Sequence, residues 1–511
     1  MPDLFASPLF ALALAGLLLT LGFEALLVPR PGLRRPLSSW LLHAGSWLVS
    51  LGVLYALTGR PWFSTVNALC VWLLVVLVSN AKYHSLREPF VCADFEYFSD
   101  AVRFPRLYLP FFGIGKAIVL ALAFVAYLGC GLYFEPRAPF AFYDAGQTLL
   151  IGAALLAGGR RRLPAPSFDA SADLQRFGLV SCLWNYYGAA RRPVDVNGLG
   201  SPFTASPAPS AAQLPDLVSV QSESFFDVRT LWPGVRPQVL STFDQLRAEA
   251  VAHGPLQVAA WGANTVRTEF AFLSGIAGDR LGVHRFNPYR LLARKGVPSI
   301  AMHLKRQGYR TVCIHPYDGS FYGRDKVLPA LGFDEFIDVR AFDDSQKAGP
   351  FIGDCAVAEK INQLLSEPGR TQPLFIHAVT MENHGPLHLE QVQAAELDTW
   401  FDQPLGDGMR DLGPYLRHIG NADRMLGMLR SHLLTLPRPT ALCFYGDHVP
   451  ILPDVYTALG APVGDTEYFI WSNRGPGTTQ AHALPVHDLA KLFVERGQAA
   501  GETKADYAQA V

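Results

Sequence analysis

Charge is scarce in this chain. Only 17% of its 511 residues are Asp, Glu, Lys or Arg, against roughly 25% in ordinary soluble domains. With hydrophobic residues at 50%, that excludes a disordered protein, which cannot be so apolar. It also excludes a soluble enzyme of even composition. Neither sign of charge is in excess: the net charge is −1, so no overall field draws polyanions, and nucleic acid is not an expected partner. Cysteine is sparse. Seven residues with no CxxC pair exclude a disulfide scaffold, and the odd number leaves at least one thiol unpaired. No Walker A loop, GxSxG elbow, HExxH helix or Rossmann GxGxxG occurs, and there is no internal repeat or long low-complexity tract.

What is present is divided along the chain. Residues 1–160 hold eleven Lys+Arg and eight Asp+Glu, and the remainder carries a normal soluble balance. Four apolar runs, 8–28, 38–58, 64–79 and 110–134, approach the ~20 residues needed to cross ~30 Å of hydrocarbon. A fifth, 139–158, is interrupted by Asp144 and Gln147. The first run lacks the basic start and cleavage site of a signal peptide and is expected to be retained. Basic residues cluster at Arg30/Arg34/Arg35, Lys82/Arg87/Arg103/Arg106 and Arg160–Arg162. Five spans place all three clusters and the C-terminal part in the cytoplasm; four spans place that part outside. The polar stretch 80–106 reads as a connecting loop.

Residues 170–187 are expected to form a helix near the membrane surface, and 198–213, rich in Pro, Ser, Ala and Gly, to form a linker. From about residue 214 short β-branched or apolar runs (216–221, 310–315, 373–380, 440–445, 467–471) alternate with helical patterns (237–253, 289–307, 354–366, 414–434, 484–496). Such alternation predicts a mostly parallel sheet covered on both faces. The expected domains are a transmembrane domain of four or five spans at 1–160, a juxtamembrane helix and linker at 161–213, an α/β domain at 214–496 and a tail at 497–511.

In parallel sheets ligands bind beyond the C-terminal strand ends, and polar residues crowd those ends here. One predicted strand runs into Ser222-Glu223-Ser224, another into Gly446-Asp447-His448, a third into Met381-Glu382-Asn383-His384. Glu, Asp and His can hold one divalent ion. A fourth segment, Asn264-Thr265-Val266-Arg267-Thr268-Glu269, offers either a threonine aimed at the site from a helix N-terminus or half of a capping box. A metal would lower the pKa of a coordinated threonine hydroxyl. The four segments together form a template for a phospho-threonine intermediate.

These segments resemble the lipoteichoic acid synthase and membrane phosphoglycerol transferase family of the alkaline phosphatase/sulfatase superfamily. The matching pieces are Ser219–Phe225, Ala263–Gly275, Glu382–Pro386, Tyr445–His448 and Ser320-Phe321-Tyr322-Gly323-Arg324-Asp325 with Leu331–Asp334. The resemblance implies a sulfatase-like α/β domain behind a multi-span helical membrane domain. It implies that Thr265 is the catalytic threonine, taking phosphoglycerol from phosphatidylglycerol. Glu223, Thr265, Asp447 and His448 are the implied metal ligands, and His384, Arg324 and Tyr322 the substrate-binding residues. Tyr322 stands where the family has Trp. Arg267, beside the threonine, is expected to form a salt bridge with Glu269. One divalent ion is implied, manganese first, with magnesium or zinc compatible. The expected acceptor is a glycan or glycerol phosphate polymer. The expected location is a bacterial cytoplasmic membrane, multi-pass, with the catalytic domain facing outward. The alternatives are a phosphoethanolamine transferase, a sulfatase and a non-catalytic membrane protein. Retention of all four metal-site residues argues against the last.

Overall fold

The computed structural model describes residues 8–95, 114–205, 214–475 and 480–499. The chain forms two compact units, Met1–Pro193 and Val194–Val511.

The first unit is helical. Its long helices are Pro8–Glu24, Leu37–Thr58, Pro61–Leu86, Ile114–Phe134 and Ala141–Arg161, followed by the shorter Ala170–Phe177 and Leu179–Ala190. Each of the five apolar runs therefore contains a helix. By length and composition two of them, Leu37–Thr58 and Pro61–Leu86, can cross a membrane, and two more, Pro8–Glu24 and Ile118–Phe134, are apolar but shorter. Leu14, Leu18, Leu122 and Val125 are more than half exposed, so these helices turn apolar faces outward.

The interrupted fifth run is the most closely packed helix. A Cβ on Gly45 would lie 2.9 Å from the Gly152 carbonyl oxygen, and one on Gly159 would lie 2.9 Å from the Ser38 carbonyl oxygen. Small residues at this spacing let the two backbones touch, as in membrane helix pairs. The juxtamembrane helix is two helices, broken at Gly178 with φ 79°. Of the stretch 80–106, residues 80–86 complete the helix Pro61–Leu86, and 96–106 lie outside the described residues.

The second unit is an α/β sandwich. Its strands are β1 (Asp216–Ser222), β2 (Ala252–Gln257), β3 (Arg310–Ile314), β4 (Glu335–Ile337), β5 (Lys347–Ala348), β6 (Phe351–Ile352), β7 (Leu374–Val379), β8 (Thr440–Gly446), β9 (Thr466–Ser472), β10 (Gln480–Ala481) and β11 (Leu484–Pro485). The main sheet runs β10-β2-β9-β8-β1-β7-β3-β4, with β11 also on β2. β8, β1, β7, β3 and β4 are parallel to one another, and β9 runs antiparallel to β8 and β2. β1, β7 and β8 are buried along their whole length, which explains their continuous apolar runs. One core cluster packs around Val218, Ile376 and Phe444, another around Leu217, Phe375 and Tyr445. These alternate residues put a hydrophobic layer on each face.

All five predicted strands form. The helix expected at 237–253 ends at Glu249, and Ala252–Gln257 is a strand; its Gly254-Pro255 pair is unusual strand chemistry and hides it. The helix expected at 289–307 is interrupted at Gly296, which has φ 75°. Leu199 and Phe203, at the start of the predicted linker, are buried in the second unit, and 206–213 lie outside the described residues. Both cysteines of the central strands, Cys313 and Cys443, are buried and free.

The order β8-β1-β7 sets three polar strand ends side by side. Ser222 pairs with Gly446, and Gln221 pairs with Val379. At Gly446 a Cβ would fall 2.0 Å from the Phe225 carbonyl oxygen, so the chain after β1 can lie against the end of β8 only with glycine here. We expect Gly446→Ala to destabilise the full-length protein by about 1–3 kcal/mol, read as a lowered midpoint in thermal unfolding. A midpoint equal to wild type would show that this close approach is dispensable.

Candidate active site

Glu223, Asp447 and His448 are all buried, and one ligand atom from each lies within 4.8 Å of the others. The backbone holds them firmly. The Glu223 N–H donates to the Thr380 hydroxyl at 3.0 Å, and the Ser224 N–H donates to Asp447 Oδ1 at 2.8 Å. The Thr268 hydroxyl donates to the Asp447 carbonyl at 2.8 Å. His448 Nδ1 donates to the Val449 carbonyl at 3.1 Å, which turns Nε2 toward Glu223 and Asp447, at 3.6 and 3.3 Å. A carbonyl bonded to Nδ1 orients the ring so that Nε2 is the nitrogen able to ligate a metal. Asp447 Oδ2 is buried without a hydrogen-bond partner. Burial, with Glu223 acting in the same sense and His448 against it, holds the Asp447 carboxyl well above the usual range. An orphaned carboxylate oxygen, a second carboxylate and an imidazole nitrogen in one dry pocket fit a divalent cation.

Thr265 is the first residue of the helix Thr265–Ser274, and its hydroxyl donates to Glu223 Oε2 at 3.2 Å. It therefore faces the carboxylates. The residue at the cap is Asn264, which makes no side-chain cap bond, so the capping-box reading of this segment does not hold. All four residues expected at the metal site are thus brought together.

One turn along the same helix, Glu269 is fully buried, and its partner is not Arg267. Arg324 closes a fork on it: Nη2 donates to Oε2 at 2.6 Å and Nε to Oε1 at 3.3 Å. Arg267 instead donates from Nε to the Phe286 carbonyl at 3.0 Å, its guanidinium 5.5 Å from the Phe286 ring centre. The planar fork of Arg324 reaches both carboxylate oxygens from across the unit, which a neighbour two residues away on one helix cannot do. Against burial, Arg324 holds the Glu269 carboxyl below the usual range. Arg324 Nη1 also donates to His315 Nε2 at 3.2 Å, while His315 Nδ1 bonds the Val379 carbonyl. Burial and the nearby guanidinium push His315 down to about 3, so it is neutral.

Tyr322 and His384 join this group through aromatic contacts. The Arg324 guanidinium lies 5.4 Å from the Tyr322 ring centre. From Tyr322 a row of rings runs to Phe321, Tyr317, Phe351 and His384, at centre distances of 4.3, 5.3, 6.1 and 5.4 Å. His384 Nδ1 lies 2.8 Å from the Gly385 carbonyl. In the second unit the described non-glycine residues with positive φ are Ser224, Asn264 and Tyr322. Each is, or directly adjoins, a predicted site residue. Strain of this kind gathers at functional sites and costs on the order of 1–3 kcal/mol per residue.

Behind His384 lies a buried polar network that motif reading did not find. His418 Nδ1 donates to Glu382 Oε1 at 2.9 Å, and Nε2 donates to Glu390 at 3.1 Å. With both nitrogens donating, the ring is charged, and against burial the two carboxylates raise it to about 9. Glu382 Oε2 accepts the Asp354 N–H at 2.7 Å. Burial and Glu382 keep the Asp354 carboxyl well above its usual range, and Thr380 hydrogen-bonds it. The network therefore reaches the metal site through Thr380 and holds the loop that carries His384. Nothing in the local sequence marks His418, which lies 36 residues from Glu382 on a helix that reads as amphipathic.

The sulfatase family model matches residues 215–493. The capsular polysaccharide biosynthesis protein RkpI of Rhizobium meliloti (strain 1021) is 28% identical over 440 residues, 81% of this chain and 78% of that protein. A match of that length extends into the helical unit. Phosphoglycerol transferase I of Xanthomonas axonopodis pv. citri (strain 306) is 26% identical over 252 residues, 46% of this chain and a smaller share, 33%, of that protein. Among solved structures, the Streptococcus pyogenes phosphoglycerol transferase GacH in complex with sn-glycerol-1-phosphate aligns over 64% of this chain and 82% of that chain. Its TM-score is 0.46 at 20% identity.

Two expectations follow from this geometry. Manganese, magnesium or zinc should stabilise the full-length protein by about 2.7 kcal/mol at a hundredfold excess over Kd, read as a rise in the thermal midpoint. Glu223→Gln and Asp447→Asn should abolish the rise; a rise that survives both would place the cation elsewhere. The second concerns His418, which faces Glu382, Glu390 and, through Glu382, Asp354. In the folded protein it is raised to about 9, above the ordinary imidazole value of 6.5. Its contribution is therefore complete below pH 6.5 and is lost as pH rises through 9, on the order of 3 kcal/mol in all. The stability difference between wild type and His418→Gln should shrink over that window, and a difference independent of pH would mean the ring is uncharged.

Proposed function

The chain belongs to the sulfatase family, and on that premise we propose that it is a membrane-anchored, metal-dependent phosphoglycerol transferase. The donor is phosphatidylglycerol, and the acceptor is a glycan of the cell envelope. The observation that carries this reading is the Thr265 hydroxyl, presented by a helix N-terminus and hydrogen-bonded to Glu223 inside the Glu223/Asp447/His448 cluster. Sulfate ester hydrolysis in this superfamily uses a formylglycine made from Cys or Ser in a C/S-x-P-x-R context. Here the corresponding position is a threonine with no such context. A threonine hydroxyl forms a phosphoester that can pass its group to an acceptor.

Glu223, Asp447, His448 and Thr265 would hold the divalent ion. When bound, it supplies positive charge that lowers the hydroxyl pKa and neutralises phosphoryl oxygens. Thr265 Oγ1 attacks the phosphorus of phosphatidylglycerol: the P–Oγ1 bond forms, the P–O bond to diacylglycerol breaks, and the threonine proton passes by way of Glu223 to the departing oxygen. In the second half an acceptor hydroxyl attacks the same phosphorus: the new P–O bond forms, the P–Oγ1 bond breaks, and the acceptor's proton passes by way of Glu223 to Thr265 Oγ1, restoring the threonine. His384 contacts the transferred group, and the Tyr322 wall, fixed by Arg324, lies against its glycerol end. Preorganised charge around the phosphoryl oxygens is the main source of rate in such transfers.

Phosphoglycerol is favoured by the relative named a phosphoglycerol transferase, and a glycan acceptor by the relative named for capsular polysaccharide biosynthesis. The helical unit serves as a multi-pass anchor, and the catalytic unit faces outward, where donor headgroups lie.

Purified full-length protein with Mn²⁺ and labelled phosphatidylglycerol should release diacylglycerol, and Thr265→Ala should be slower by at least about 10³-fold. Release from phosphatidylethanolamine but not from phosphatidylglycerol would replace the proposed donor, and equal rates in wild type and Thr265→Ala would remove the threonine from the chemistry.

A further inference from the structure

The helical unit contains a cavity of about 650 Å³, within the size range of ligand sites. Its walls include Val71, Trp72, Val75, Val76, Leu183 and Trp184. The polar atoms of these walls are already engaged. The Trp184 indole N–H donates to the Ser46 hydroxyl at 2.9 Å, and that of Trp72 donates to Ser50 at 3.4 Å. Glu24, the one acid in the lining, is paired with Arg35 and accepts the Leu179 N–H at 3.1 Å. What remains is an apolar interior.

The rim is different. Arg160 stacks 5.2 Å from the Trp184 ring centre, and Arg191 stacks 4.6 Å from that of Tyr187. Arg161, Arg162 and Arg192 adjoin them, and all five are exposed. None of the five forms an ion pair among the described residues. Each group follows a helix C-terminus, whose dipole accounts for about half a charge; five cations exceed that. An apolar chamber with an uncompensated cationic rim and two stacked aromatics is complementary to one chemistry: a hydrocarbon chain joined to an anionic phosphate.

We propose that this unit carries its own site for one anionic glycerophospholipid of the membrane, with an acyl chain in the cavity and the phosphate between Arg160 and Arg191. This site is built only from residues of the helical unit. The inference rests on the membrane half of the proposed function and not on the transfer reaction.

The test is native mass spectrometry of the full-length chain in detergent, with phosphatidylglycerol or phosphatidylcholine added. One phosphatidylglycerol per chain should be retained, and phosphatidylcholine much less. Arg160→Gln and Arg191→Gln should each weaken retention about fivefold, and the pair about 25-fold. Both positions are exposed, so the fold is not at risk. Val75→Trp, which fills the chamber, should also expel the lipid. Thr265→Ala should retain it as wild type does. Retention unchanged in the double arginine variant, or equal for the two lipids, would overturn the site. Retention as expected in a protein that turns over no lipid would instead sink the transferase reading and leave this one standing.

Discussion

Two carboxylates, Glu223 and Asp447, are held together out of water, and the α/β unit is organised around making that arrangement tolerable. Like charges in a dry pocket raise each other's pKa and favour neutralisation. Here the Ser224 N–H donates to Asp447, the Glu223 N–H is tied to the Thr380 hydroxyl, and His448 Nε2 faces both carboxylates. An oxygen without a partner leaves a place that a divalent cation fills. The same field orients Thr265, since its hydroxyl finds its acceptor in Glu223. The candidate cation site and the placement of the Thr265 hydroxyl are thus two consequences of one constraint.

That constraint requires stiffness, and two buried ionic devices provide it. The fork between Arg324 and Glu269 ties the helix carrying Thr265 to the loop carrying Tyr322. Removing one partner would leave a buried charge uncompensated, a cost of about 3–5 kcal/mol. The His418 network does the same for the loop carrying His384. Ion pairs contribute little to stability at the surface, but in a core they specify which side chain faces which. Here they set the distance between the Glu223/Asp447/His448 cluster and the side chains of Tyr322 and His384.

Much of this was legible in one dimension. The strands β1, β3, β7, β8 and β9 were readable because strands buried on both faces are continuous apolar runs. The polar residues at their ends stood out against those runs. β2 was not readable, because Gly254 and Pro255 look like a turn and its pairing with β9 is non-local. Arg267 was assigned to Glu269 because the two are close in sequence. The partner that binds lies 55 residues away, and only packing reveals it.

Taken alone, the sequence determined the division into an apolar helical part and an α/β part, the sheet class, and the polar residue types gathered at the strand ends. These follow from composition, periodicity and strand-end chemistry, all of which are local. Tertiary structure decided which carboxylate meets which cation, which nitrogen of His448 faces the two carboxylates, and that the fifth apolar run packs against the second through facing glycines. It alone placed unpaired arginines at the mouth of a cavity. Partner choice among charged side chains depends on relative placement across the fold, since Coulomb and hydrogen-bond energies fall off within a few ångströms and chain neighbours are seldom the best aligned.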